Sequence, residues 1–259
     1  MKGLTEGGVK SIEKLIKLKF DDLAMKFLGI IPSAQTEKSL VFKTTRNNII
    51  SLFLQALGDR SPDRLEERTL KTMVRVANGY MNALRDRTAN RIVHDIDAYV
   101  RTQSLRKEPV KSSKIQEMME KEMRKARNHI RMIASAESNK AINTGTALNI
   151  QKIGEKHDEG DPTVFFVVTH DDVTGPEEYV LHTLKDRKTP RVWKMSEIGA
   201  EYHKKGDPNP KLSGLHPNCR CKLAYLPKGF GFNEAGGITY IGKDHDEFEA
   251  QRKEHGLPR

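Results

Sequence analysis

The sequence predicts an α+β fold, with a long helical hairpin in the N-terminal half followed by a small antiparallel-sheet unit. Three observations predict it. As far as about Ile153, apolar residues recur at helical spacing with lysine and arginine between them. After Gly154, short β-branched and aromatic runs take over, first Val164-Phe165-Phe166-Val167-Val168-Thr169. Both cysteines then stand one residue apart in Gly214-Leu215-His216-Pro217-Asn218-Cys219-Arg220-Cys221-Lys222-Leu223, a turn-rich stretch that leads into another strand-like run.

Taken in order, Val9 to Leu28 places Ile12, Leu15, Ile16, Leu23 and Phe27 on one stripe, and Gly29 and Pro32 supply a stop. Phe42 to Asn48 favours no element. Ile49 to Gly58 reads as a short buried helix ended by its glycine. Ser61-Pro62 has the form of an N-cap followed by proline at the first helical position. The pattern then runs through Leu65, Leu70, Met73, Val74, Ala77, Met81, Leu84, Ile92, Ile96 and Val100, with Gly79 the one weak point. A helix of about 40 residues is about 60 Å long. That length calls for a partner, either in a hairpin or from neighbouring chains. Arg106-Lys107-Glu108-Pro109 ends the run. Ser113 and Gln116 have capping-box spacing, and a second long helix follows to about Ile153, with Ile115, Met118, Met119, Met123, Ala126, Ile130, Ile133 and Ala134 on one side. The short proline-containing link makes the pair an antiparallel hairpin. The methionines read as adaptable core.

In the second part, Tyr179 to His182, Arg191 to Trp193, Lys222 to Leu226 and Ile238 to Ile241 are the further candidate strands, and Gly206 to Pro210 is a turn. The chain then becomes charged and reads as a mobile tail. The organisation expected is a helical region over 1–110, an α+β domain over 111–226 and a C-terminal tail over 227–259. No internal repeat is present.

Composition bounds the function. With 259 residues, 36% hydrophobic and 31% charged, the chain suits one large domain or two small ones with lean cores. No window approaches the roughly 18 apolar residues of a membrane span. The start, Met1-Lys2-Gly3-Leu4-Thr5-Glu6, lacks the apolar region of a signal peptide, so the expectation is a chain that is intracellular when made. The net charge of +10 is uneven: residues 1–150 carry 28 basic and 17 acidic side chains, and residues 151–259 carry 17 and 18. The basic surplus in the first part suits either a polyanion or simply solvated helix faces. One residue between Cys219 and Cys221 leaves little freedom for disulfide geometry, which fits a reducing compartment or a site shared by both sulfurs.

His216, Cys219 and Cys221 offer an imidazole and two thiolates of the kind zinc prefers. A closed site needs a fourth ligand, for which Glu178, His182, His170 and Asp171 are the candidates. Cys-x-Cys is not the usual Cys-x2-Cys knuckle. The spacing equally fits cysteines acting as small buried hydrophobes, with His216 bonded to a carbonyl. A Cys219–His216 nucleophilic pair is disfavoured, because a histidine three residues away is held by the local backbone. His170-Asp171-Asp172 reads either as a metal or acid–base cluster or as an ordinary acidic turn. The chain has no Walker loop, dinucleotide fingerprint or Gly-x-Ser-x-Gly elbow, and hence no positive sign of an enzyme.

The run Leu215-His216-Pro217-Asn218-Cys219-Arg220-Cys221 resembles the His-Pro-Asn-Cys-Arg-Cys signature of the phage Mu F-like minor head proteins, also described as head-morphogenesis proteins. Upstream, Ala134 to Asn143 is similar to the family's Ala-x-Thr-Glu-like helical segment, and Val167 to Thr174 to its strand and Asp-containing turn. The similarity spans about residues 125–226. It implies a non-enzymatic virion protein, made in the host cytoplasm and present in several copies. Such a protein would associate with the portal or inner capsid during head assembly and would touch packaged double-stranded DNA. Where the family has Cys-x2-Cys, this chain reads Gly175-Pro176-Glu177-Glu178, so both sulfurs are replaced. Either Glu178 or a histidine such as His182 completes a metal site with His216, Cys219 and Cys221, or hydrogen bonds and packing hold the turn. The alternative from another class is a small metal-dependent enzyme acting on nucleic acid. An ADP-ribosyltransferase, a domain that can accompany this family, finds no nicotinamide-binding constellation here.

Overall fold

The computed structural model describes residues 4–28, 49–58, 60–169 and 174–255. The predicted stop at Gly29 and Pro32, the Phe42–Asn48 segment and the His170-Asp171-Asp172 cluster lie outside them. The fold is α+β: long helices first, then a small antiparallel sheet. The chain divides into two compact units, one built from residues 1–48 and 71–134, the other from 49–70 and 135–259. No described helix is long and apolar enough to cross a membrane.

Helix α1 spans Glu6–Leu28, α3 spans Arg64–Arg106 and α4 spans Ser112–Lys156. In the first unit, α1 buries Ile16, Phe20 and Ala24, whereas Leu15 is exposed. The stripe thus lies one position further round the helix than the apolar letters alone suggested. From α3 come Met73, Val74, Ala77, Met81, Leu84, Ala89, Ile92 and Ile96, and from α4 Ala126, Ile130 and Ala134. The hairpin is fastened near its turn, where the Lys111 amide donates to the Tyr99 hydroxyl, and by the ion pair of Arg91 with buried Glu122 at 3.3 Å. α3 stops because Lys107 takes a left-handed conformation (φ 56°) and the Glu108 amide donates back to the Gln103 carbonyl.

In the second unit, Asp63, not Ser61, caps α3. Its carboxylate accepts the Leu65 and Glu66 amides, while Glu66 reaches back to the Asp63 amide, closing a reciprocal box that the Ser-Pro signal obscured. Leu65 is consequently exposed. Helix α2 (Ile49–Ala56) ends at Gly58, as its left-handed φ of 80° allows. It packs against α4 at Gly145, where an added Cβ would lie 2.7 Å from both the Phe53 carbonyl oxygen and the Ala56 Cβ. At Gly79 in α3 an added Cβ would meet nothing within 4 Å. Two alanine substitutions should therefore move stability in opposite directions. Gly79→Ala gains roughly 0.5–1 kcal/mol from helix propensity. Gly145→Ala loses about 1–2 kcal/mol, because backbone cannot yield to the new methyl. Chemical denaturation of the two variants checks this; equal shifts of the same sign would contradict the packing.

The sheet is ordered β2-β1-β3, all antiparallel, from β1 (Thr163–Val167), β2 (Val192–Lys194) and β3 (Lys222–Tyr225). β1 is central and both its faces are covered. Val164 and Phe166 join Ala147, Ile150, Trp193, Leu212 and Leu223 in one core. Phe165 packs with Val192, Leu226 and Phe248 in another. Two strands, β4 (Phe230–Phe232) and β5 (Ile238–Tyr240), form a separate hairpin.

Two expectations are corrected. Tyr179 to His182 is not a strand but part of helix α5 (Pro176–His182). Gly175 is its N-cap, Pro176 opens it and Glu178 turns back onto the Gly175 amide at 2.7 Å, a helix-start pattern stronger than four apolar-leaning letters. The end of the chain is not simply a mobile tail. Helix α6 (Glu247–His255) buries Phe248 and Gln251, and the Gln251 amide group both donates to the Pro190 carbonyl and accepts the Val192 amide.

Candidate functional site

The loop from Leu212 to Leu223 is tied down by one helical side chain. Asn143 on α4 is fully buried. Its Nδ2 donates to the carbonyls of Leu212 (3.1 Å) and Cys221 (3.2 Å), and its Oδ1 accepts the Leu223 amide (3.0 Å). These partners fix which way the amide faces: two carbonyls need the nitrogen and one N–H needs the oxygen. Both ends of the loop are thereby stapled to α4.

Within the loop, the Cys219 amide donates to the His216 carbonyl, closing the turn that Pro217 and Asn218 form. Gly214 adopts φ 78°, and a Cβ there would lie 2.7 Å from Cys219 Cβ and 2.9 Å from its sulfur. The glycine is what lets the backbone fold over the thiol. Both cysteines are free and buried.

Helix α5 delivers Glu178 to the same place. One carboxylate oxygen accepts the Gly175 amide; the other lies 3.5 Å from Cys221 Sγ and 3.3 Å from His216 Nε2. The donor atoms of Glu178, Cys219 and Cys221 all lie within 4.8 Å of one another, and all three residues are buried. Of the residues singled out from the sequence, Glu178, Cys219 and Cys221 come together, and His216 reaches Glu178 without joining this mutually close set. His182 is not part of the triplet. Its ring stacks on Phe166 with centroids 4.5 Å apart, and neither ring nitrogen has a hydrogen-bond partner among the described residues.

The electrostatics are those of a crowded, partly dry site. Burial pushes the Glu178 carboxyl up, but the Gly175 amide, Cys219 and His216 outweigh it and hold it below the usual carboxylate range. The Cys219 thiol is lowered by its neighbour Cys221 and, against burial, by the backbone amides of Leu215 and Cys221. Cys221 is raised by the Cys219 sulfur and by burial, so it holds a proton where Cys219 is poised to lose one. Burial drives His182 down to about 3, leaving a neutral imidazole. Lys222 is lowered by burial, against the pull of both cysteines, and its ammonium donates to Asn139 Oδ1.

Asn139 and Asn143 are the members of this site to which motif reading gave no role of their own. Their one sequence signal was an i, i+4 asparagine pair within a helix whose neighbours Ala141, Ala147 and Ile150 are core.

No protein-family model matches the chain, and no curated protein or solved structure matches it at a significant level.

Proposed function

We propose that this chain is a structural minor head protein of a tailed bacteriophage. It associates in several copies with the portal or the inner capsid surface during head assembly in the host cytoplasm, and becomes part of the virion. The observation that carries this reading is the Leu215–Cys221 run, whose resemblance to the head-morphogenesis signature coincides with a turn that buries Cys219 and Cys221 and is stapled to α4 by Asn143. Side chains committed in this way to holding backbone together support architecture over turnover. The basic surplus before residue 151, including exposed Lys121, Arg124, Lys125, Arg127 and Arg131 on α4, suits an acidic partner surface or DNA phosphates contacted without sequence readout.

The competing reading, a metal-dependent enzyme acting on nucleic acid, draws less support. A hydrolytic metal centre keeps a coordination position open to substrate, whereas Glu178, Cys219 and Cys221 are each at most 3% exposed.

The test is mass spectrometry of procapsids and mature particles from a phage carrying this coding sequence. The chain is expected in procapsids and virions at a constant ratio to the portal protein. Absence from both particles sinks the proposal.

A further inference from the structure

We infer that Glu178, His216, Cys219 and Cys221 form a tetrahedral, structural zinc site. The inference stands on the arrangement of the donors and does not depend on the assembly role.

The distances carry it. Zinc binds carboxylate oxygen and imidazole nitrogen at about 2.0–2.1 Å and thiolate sulfur at about 2.3 Å. In a regular tetrahedron those bond lengths put oxygen and nitrogen ligands roughly 3.3–3.4 Å apart, and oxygen and sulfur ligands roughly 3.5–3.6 Å apart. Glu178 Oε1 lies 3.3 Å from His216 Nε2 and 3.5 Å from Cys221 Sγ. Two edges of the tetrahedron are therefore already in place. Cys219 belongs to the triplet whose donors lie within 4.8 Å of one another, so its sulfur needs only a small movement. His216, with its side chain 41% exposed, lies against Glu178 but outside that triplet, and it must turn toward the sulfurs to complete the set from the solvent side.

Charge and hydrogen bonding point the same way. Zinc binding would displace the thiol protons, and the carboxylate and two thiolates would then carry three negative charges. The zinc dication together with the nearby, half-buried Lys222 ammonium would balance them. The Leu215 and Cys221 amides already point at the Cys219 sulfur, the kind of outer-shell support that thiolate ligands receive. Glu178 is itself oriented by the Gly175 amide. The result is a closed site with one carboxylate ligand, whose role is to lock α5 onto the Cys219–Cys221 turn.

The full chain, purified without chelator, is expected to carry about one zinc per molecule by elemental analysis. After removal and refolding with cobalt(II), it should show tetrahedral visible bands and thiolate-to-cobalt charge-transfer absorption. Glu178→Cys replaces an oxygen ligand by a third sulfur and should raise that absorption by about half. His216→Ala, at a half-exposed position, should weaken zinc binding at least ~10-fold. Three results would each overturn the inference. One is no zinc uptake by the refolded full chain. Another is full zinc retention in the Cys219→Ser, Cys221→Ser double variant. The third is a Glu178→Cys spectrum of unchanged intensity in a folded protein.

Discussion

Asn143→Ala is expected to destabilise the second unit by about 3–5 kcal/mol, close to the whole stability of many domains. The side chain makes three hydrogen bonds at a fully buried position, to groups 69, 78 and 80 residues further along the chain. Removing it does more than cancel three modest gains of about 1 kcal/mol each. It leaves two carbonyls and one amide inside the protein without partners, and each such group costs roughly 1–3 kcal/mol. A shape-matched substitution separates these effects. Asn143→Asp keeps the acceptor for the Leu223 amide but turns a second oxygen toward the carbonyls of Leu212 and Cys221. Burial and those carbonyls must raise this carboxyl in the folded state above its unfolded value. Folding then favours the protonated form, so the defect is smallest below about pH 4 and grows as the pH rises through the folded value. Urea denaturation of the wild type and both variants measures all of this. An Asn143→Ala protein within about 0.5 kcal/mol of wild type would show that the loop is held by other means.

That residue also marks where the sequence stops being legible. The long helices announce themselves because period 3.6 is repeated over many turns, so single misplacements such as Leu15 or Leu65 do not disturb the assignment. Strand β1 follows from a dense β-branched and aromatic run, and β2 and β3 from short runs carrying Val192, Trp193, Leu223 and Tyr225. Asn143 has no such redundancy: an asparagine in a helix reads the same whether it faces water or staples a loop. The choice depends on partners some 70 to 80 residues away. α5 was obscured because four letters, Tyr179 to His182, fit either period, while the decisive information sat just upstream in Gly175-Pro176-Glu177-Glu178. α6 hides for the opposite reason. Its two buried side chains, Phe248 and Gln251, are too few to draw a stripe through a charged segment. At the site, ligand chemistry was readable in His216, Cys219 and Cys221. Which of Glu178 and His182 faces the sulfurs was not, because one turn of α5 separates them and only the placement of that helix decides.

Acid should act on the second unit chiefly through Glu66. Its side chain is 1% exposed and is gripped by Arg60 through two contacts of 2.8 and 2.5 Å, by the Asp63 amide and by Lys152 at 3.0 Å. The Arg60 hydrogen bonds, with help from Asp63 and Lys152 and against burial, bring the carboxyl down to about 2. A folded value below the unfolded one, near 4.3, means that the proton binds more tightly to the unfolded chain. The stabilisation is therefore complete above about pH 5 and disappears as the pH falls toward 2. A shift of this size corresponds to about 3 kcal/mol, trimmed toward 2 because Arg60 and Lys152 are each about one-third exposed and water screens them. Glu66→Gln preserves shape and the bond to the Asp63 amide but removes the charge. It should cost about 2–3 kcal/mol at pH 7, flatten the acid limb of the stability curve and converge with wild type near pH 2. Added salt should recover little of the difference at neutral pH, because a buried carboxylate is screened weakly. Parallel wild-type and variant curves from pH 7 to 2 would rule out the charged grip, since a purely steric role for Glu66 carries no proton with it.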